Sequence, residues 1–366
     1  MGLGWRLAVV GSAALVVVAY PVFSSSSRSD SPNDATAMLQ ARIDALKPGD
    51  TLTLDPGIYR HSGVIKVNVP GVRVDGGGAT LQATNDSTSA VQIVANDVEL
   101  TNIRLTAPTD GQRRDQLDQH KLVISGQHDT VSHVTIVGSA AAGIFVTGAQ
   151  NFTLRDISVS GTRADGVHIT GGSANGVVDD LRSDATGDDA LAVVSYASDP
   201  GPSHDISASR ISVASTRWGR GISVVGGDNV TVRGFSVANT SAAGVSVVTE
   251  GSPWFSRAVD HVEISDGTIT GANTDPTVVH GAILLSAANV GTSVSNVSIS
   301  NVGISATTPT AEREVAILAE GGTLNNVAVT GIRLDNSALS PLATNAPPSS
   351  FRVTGWTAKG EPIAVS

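Results

Sequence analysis

One pattern recurs along the chain: a small residue followed by apolar, any, apolar. It stands at Gly143-Ile144-Phe145-Val146, Gly166-Val167-His168-Ile169, Ala190-Leu191-Ala192-Val193, Gly221-Ile222-Ser223-Val224 and Gly244-Val245-Ser246-Val247, in steps of 23, 24, 31 and 23 residues. An earlier copy is Lys121-Leu122-Val123-Ile124, and later ones lie at Gly281-Ala282-Ile283-Leu284 and Val315-Ala316-Ile317-Leu318. Between the copies fall further strand-like triplets, among them Phe152-Thr153-Leu154, Ile211-Ser212-Val213, Val230-Thr231-Val232 and Val297-Ser298-Ile299. Several short strands within a period in the low twenties predict stacked β rungs. Each rung turns alternate Val, Ile and Leu inward and cannot bury them without neighbours.

The pattern therefore predicts an all-β, right-handed parallel β-helix of about ten rungs over residues 28–345. At about 4.8 Å per rung the shaft is roughly 50 Å long. The 31-residue step carries a loop from Tyr196 to His204, with Asp199-Pro200-Gly201-Pro202 as its turn signal. Ala37, Leu39, Ile43 and Leu46 fall near helical spacing, with Asp34 as N-cap and Pro48-Gly49 as stop. One short amphipathic helix is expected to cap the open sheet end. Pro341, Pro347 and Pro348 predict that residues 346–366 leave the repeat as a C-terminal tail. Arg6, the apolar run Leu7 to Phe23 and Ser24–Ser27 make residues 1–27 a secretory signal or, uncleaved, an N-terminal membrane anchor. The expected location is extracellular or at the cell surface.

Composition narrows the chemistry. The chain is 40% hydrophobic but only 4% aromatic and 15% charged, with 39 Gly, as short buried strands and tight turns require. A net charge of −10 argues against nucleic-acid binding, which needs a basic face. The absence of cysteine excludes disulfides, Cys-ligated zinc and thiol catalysis. Gly76-Gly77-Gly78 precedes another strand rather than a helix, so it is no phosphate cradle, and no organic cofactor is expected. A monomer is expected.

Ala45-Leu46-Lys47-Pro48-Gly49-Asp50-Thr51, Pro56-Gly57-Ile58-Tyr59 and Val74-Asp75-Gly76-Gly77-Gly78-Ala79-Thr80-Leu81 resemble the N-terminal part of pectin-lyase-like β-helix proteins. The centre resembles the polygalacturonase-like glycoside hydrolases of family 28. Arg163-Ala164-Asp165-Gly166-Val167 is similar to their Asn-Thr-Asp-Gly motif, and Thr186-Gly187-Asp188-Asp189-Ala190 to their Gly-Asp-Asp motif. Gly219-Arg220-Gly221-Ile222-Ser223 stands where they carry Gly-His-Gly, and Val247–Glu250 where they carry Arg-Ile-Lys. The resemblance implies inverting hydrolysis by aspartates. The two departures, Arg220 for the histidine and Val247–Glu250 for Arg-Ile-Lys, leave both the uronic-acid substrate and the reaction open.

The residues preceding the repeat motif form a column: His120, Ala142, Asp165, Asp189, Arg220, Ala243 and His280. Stacking makes residues one period apart into neighbours about 4.8 Å apart. Asp165, Asp188 and Asp189 thus come together with Arg220 on the next rung. Carboxylates this close cannot all ionise freely, and a neutral acid beside an ionised base is what glycoside cleavage requires. Asp-Gly also marks ordinary turns, as at Asp75-Gly76. Substrate contacts are expected from His168, His120, Lys121, Glu250 and His280, and from Trp218 and Trp254 as sugar-stacking rings. Three readings stay open. One is a glycoside hydrolase using Asp165, Asp188, Asp189 and Arg220 on a polysaccharide or cell-wall glycan. The second is a lyase in which the three aspartates hold Ca²⁺ and Arg220 is the base. The third is a non-catalytic glycan-binding surface protein.

Overall fold

The computed structural model describes residues 34–335 and 338–365. The expected signal or anchor at 1–27 lies outside them. Two parallel sheets run the length of a right-handed β-helix. Eleven short strands, from Ile65–Val67 to Ser340–Thr344, form one sheet, and a longer, bent sheet forms the rest of the wall. The pairing Ile144↔Val167↔Leu191↔Ile222↔Val245 follows the sequence period. The core between the sheets is a largely aliphatic column in which Ile144, Val167, Ile222 and Val245 are buried.

The small residue of the motif has a steric reason. A Cβ on Gly166 would lie 2.5 Å from the Ala190 carbonyl oxygen of the next rung. Two late copies are displaced by one residue from the expected register. Val245 pairs with Ile283, and Ile283 with Val315, so the small position belongs to Ala282 and Glu314. The column residue is accordingly Gly281, not His280.

The triplets between the motifs are parts of strands more than three times as long, such as Thr153–Thr162, His204–Val213 and Ser293–Ser305. Each bends at a left-handed residue in its middle, at Asp156, Arg210 and Asn301, without leaving the sheet. Asn and Asp tolerate this conformation best, which is why the bends read as turns in the sequence.

The helix forms at Thr36–Asp44 and buries Leu39 and Ile43 against the first rungs. Its N-cap is Ala35. Asp34 stands one residue earlier and accepts from Thr36 N (2.8 Å). No helix of the described residues is long and apolar enough to cross a membrane. The expected detached tail is not found. Phe351–Thr354 and Thr357–Ala358 pair in parallel with Val327–Thr330 and Arg333–Leu334, so residues beyond 346 complete the last turn of the long sheet. Pro341 lies within the paired strand Ser340–Thr344, and Pro347 and Pro348 cap and open a short 3₁₀ turn at Pro348–Ser350, so the prolines do not end the pairing.

Candidate active site

The site begins as a repeated turn. Buried Thr162, Thr186 and Thr216 each donate a hydroxyl to a carbonyl two or three residues on, Ala164 (2.7 Å), Asp188 (2.8 Å) and Gly219 (2.8 Å). These bonds hold three successive turns in one shape. Gly143 N, Gly166 N and Ala190 N then donate to the carbonyls of Asp165 (2.9 Å), Asp189 (2.8 Å) and Arg220 (3.0 Å). The predicted column is thus formed through Ala142, Asp165, Asp189 and Arg220. Carboxylate oxygens of Asp165, Asp188 and Asp189 lie within 4.8 Å of one another.

The three carboxylates differ in their partners. Asp189 is deeply buried. Its Oδ1 accepts from Arg220 N (2.6 Å) and Nε (3.0 Å), and its Oδ2 from the Arg220 guanidinium (3.0 Å) and from Ser223 Oγ. Burial pushes Asp189 up, but the Arg220 charge and these hydrogen bonds outweigh it and hold the carboxyl below its ordinary value. Asp188 is 18% exposed and meets one cation, Arg113 (2.7 Å). Burial, then the charges of Asp165 and Asp189, push it well above the carboxylate range, and Arg113 and Arg220 offset only part of this. Asp165 Oδ2 faces His168 Nδ1 at 2.6 Å. Asp189 is thus held toward the ionised form and Asp188 toward the protonated one, side by side, with a carboxylate oxygen of Asp165 within 4.8 Å of both.

The residues expected to bind substrate separate. Glu250 borders the site and accepts from Arg220 NH1 (2.9 Å). Trp218 lies beneath the Arg113 guanidinium, 5.1 Å from the ring centre, so one face of the ring is covered by a cation. Trp254 is 49% exposed, next to half-exposed Phe255, on the loop that follows Glu250. His168 is buried, stacked between Phe145 (5.2 Å) and Tyr196 (6.3 Å). Three expectations are corrected. Lys121 is fully buried, its Nζ bonded to His61 Nε2 (3.0 Å) and the Ser89 carbonyl (2.8 Å), and burial lowers its amine to about 7. It faces the core because it occupies the motif's small position, beside an acceptor pair that can take its charge. His120 is buried under Phe145 (4.1 Å) with Nδ1 accepting from Ala142 N (3.1 Å), and burial, then His168, lower it to about 3. His280 is off the column, and burial, then Arg220, lower it to about 4, leaving it a neutral neighbour of the site.

Two arginines escaped the sequence reading. Arg113 comes from the loop 107–121, and Arg163 fastens that loop down. The Arg163 side chain is 4% exposed, forks onto Asp86 (2.6 and 2.9 Å), and donates to the carbonyls of Pro108 (3.1 Å) and Gln112 (3.0 Å). A signal existed, because the rung from Val91 to Leu122 is as long as the loop-bearing rung from Leu191 to Ile222.

The aspartate trio does not suit calcium, which takes six to eight oxygen ligands. Both Asp189 oxygens are occupied by Arg220 and Ser223, Arg113 bonds Asp188, and His168 bonds Asp165. Arg220 is held between Asp189 and Glu250. Burial would lower it, but these carboxylates raise it well above its ordinary value, so it cannot act as a base.

A family model described as "right handed beta helix region" matches residues 89–259. Among solved structures, the chain is similar to the catalytic unit of a glycoside hydrolase family 87 α-1,3-glucanase from Streptomyces thermodiastaticus strain HF3-3, at 20% identity and TM-score 0.63, over 90% of this chain and 66% of that one. A family 87 α-1,3-glucanase catalytic domain in complex with nigerose aligns at 16% identity and TM-score 0.68, over 90% and 65%. The endo-xylogalacturonan hydrolase of Aspergillus tubingensis aligns at 15% identity and TM-score 0.64, over 91% and 98%. The chain thus spans about two thirds of the length of the glucanase units and nearly all of the xylogalacturonan hydrolase. At these identities the likeness is one of fold: a right-handed parallel β-helix of the kind found in carbohydrate-active enzymes. No curated protein matches the sequence.

Proposed function

We propose that the chain is a glycoside hydrolase acting on a neutral polysaccharide. Asp188 is the general acid and Asp165 the residue that activates water. Asp189, locked by Arg220, is a fixed negative charge beside the oxocarbenium-like sugar. The observation that carries this reading is the unequal setting of the adjacent Asp188 and Asp189: Arg220 and Ser223 bond both oxygens of Asp189, whereas Asp188 meets only the partly exposed Arg113 among the described cations. One is pushed up by burial and two like charges, and the other is held down by a bidentate arginine. Neutral substrate follows from the cations. Arg113, Arg163 and Arg220 are each committed to a carboxylate of this chain, and Arg217 donates to the Thr162 carbonyl. A uronic-acid polymer would meet Asp165, Asp188 and Glu250 without any of these to neutralise it. The glucanase structures support the assignment. The three aspartates replaced singly by alanine in them are spaced along that chain as Asp165, Asp188 and Asp189 are along this one. The lyase reading loses its base in Arg220 and its ion in the aspartate trio.

The test is reducing-end release from a panel of neutral and uronic polysaccharides, with Ca²⁺ or EDTA, by the wild type and by Asp188→Asn and Asp165→Asn. Saturated products from a neutral glycan, undiminished by EDTA and reduced at least about 10²-fold in both variants, are expected. Unsaturated, calcium-dependent products would replace the reading with a lyase. Binding without cleavage would replace it with a glycan-binding module.

A further inference from the structure

Among the described residues the His168 side chain makes one hydrogen bond, and it goes to a carboxylate of the candidate site. Its Nδ1 lies 2.6 Å from Asp165 Oδ2, and the side chain is 10% exposed. Phe145 and Tyr196 stack on its two faces with interplanar angles of 20° and 18°. The ring plane is therefore fixed on both sides, and only one imidazole edge reaches Asp165. Nε2 is buried and has no partner among the described residues. This sets the tautomer. With the proton on Nδ1, the ring donates to Asp165 and leaves only an acceptor unpaired. With the proton on Nε2, two acceptors would face each other at 2.6 Å and a buried donor would be unpaired.

Packing alone does not require this arrangement. The register neighbours Phe145 and Ala192 show that the position accepts apolar side chains. A histidine between two rings, bonded to one carboxylate and nothing else, is a device for orienting that carboxylate. It also leaves Asp165 Oδ1 as the oxygen free to take a proton.

We infer that His168 is a positioning residue: through Nδ1–H it fixes Asp165 in the orientation from which Asp165 removes a proton from the attacking water. The inference rests on the hydrolase reading above. The balance is simple. Water gives its proton to Asp165 and its oxygen forms the bond to the anomeric carbon as the bond from that carbon to the glycosidic oxygen breaks, and the leaving oxygen takes the proton of Asp188. His168 keeps its own proton throughout.

Two substitutions separate the ring's nitrogens. His168→Asn places an amide N–H near Nδ1, and His168→Gln places one near Nε2. With the neutral polysaccharide that the wild type cleaves, His168→Asn is expected to keep kcat within about threefold. His168→Gln and His168→Ala are expected to lose about 10²-fold, the lower end of what a positioned acid–base group contributes, with KM little changed. Equal losses in all three variants, or a change confined to KM, would overturn the inference. A second measurement does not need turnover. In protein labelled with ¹⁵N-histidine, a strongly downfield Nδ1 proton is expected, lost in Asp165→Asn and kept in Asp188→Asn. Its absence in the wild type would overturn the dyad directly. A wild type that cleaves nothing while Asp188→Asn is equally inert removes the hydrolase reading itself. An active wild type with an inactive Asp188→Asn and unaffected histidine variants removes only the role of His168.

Discussion

Replacing Arg113 by Met tests which carboxylate is the acid. Among the described residues Arg113 is the one cation in contact with Asp188, 2.7 Å from its Oδ2, and its charge favours the ionised form. Two unit charges about 4 Å apart interact by about 4 kcal/mol at an effective dielectric of 20. That is an upper bound, because the Arg113 side chain is 42% exposed and solvent screens it. A charge-assisted hydrogen bond in this setting contributes about 1.5 kcal/mol, equivalent to a shift of about one pH unit. The sign follows from the role. A general acid must hold its proton, so its pKa sets the alkaline limb of kcat/KM. Removing the cation raises Asp188 further, and the alkaline limb of Arg113→Met should move up by about one pH unit. The assay is initial-rate reducing-end release across pH, with Arg113→Lys as the control that keeps a charge. An alkaline limb that stays put or moves down would refute the assignment. An acidic limb that moves up instead would make Asp188 the base.

Arg163→Met should free the loop 107–121. It breaks a fork that is almost fully buried on the arginine side, while Asp86 is 29% exposed and can rehydrate, so a loss of about 2–3 kcal/mol by thermal or denaturant unfolding is expected, below the full value for a buried pair. Gly219→Ala places a Cβ 2.4 Å from the Asp188 carbon, Asp188 Oδ1 and the Asp189 nitrogen; kcat should fall about 10²-fold for about 1–3 kcal/mol of stability, and an active Gly219→Ala would refute the need for close approach there. Asp129 is buried, its Oδ2 has no hydrogen-bond partner among the described residues, and burial raises its carboxyl to about 7 against an ordinary 3.8. The unfolded chain then ionises first, so Asp129 costs stability increasingly as pH rises from about 4 to 7. The advantage of Asp129→Asn in unfolding free energy should grow over that window towards at most about 4 kcal/mol, and a pH-independent difference would refute the buried neutral carboxyl.

The repeat was legible because the solenoid writes its geometry into the chain. The rungs bury the same alternate positions, and several bring backbone against backbone at a glycine, so Gly166 and Gly221 mark the register directly. The long bent strands were hidden because a left-handed residue such as Asp156 or Asn301 interrupts alternation where pairing continues. The same period that shows the rungs also gathers Asp165, Asp188 and Asp189. It does not show how they differ. Asp188 takes its counter-charge from Arg113, on a loop that the core does not shape and that is anchored through Arg163 and Asp86, 77 residues apart in sequence. Lys121 fails in the opposite sense. Its charge suggested an outward side chain, but the motif position points it into the core, where His61 and the Ser89 carbonyl receive it. Asp165 and Asp189 illustrate the boundary best. They hold equivalent places on neighbouring rungs, yet one meets His168 on its own strand and the other Arg220 on the next turn. The fold makes the carboxylates neighbours, and the individual side chains around them decide which one keeps a proton.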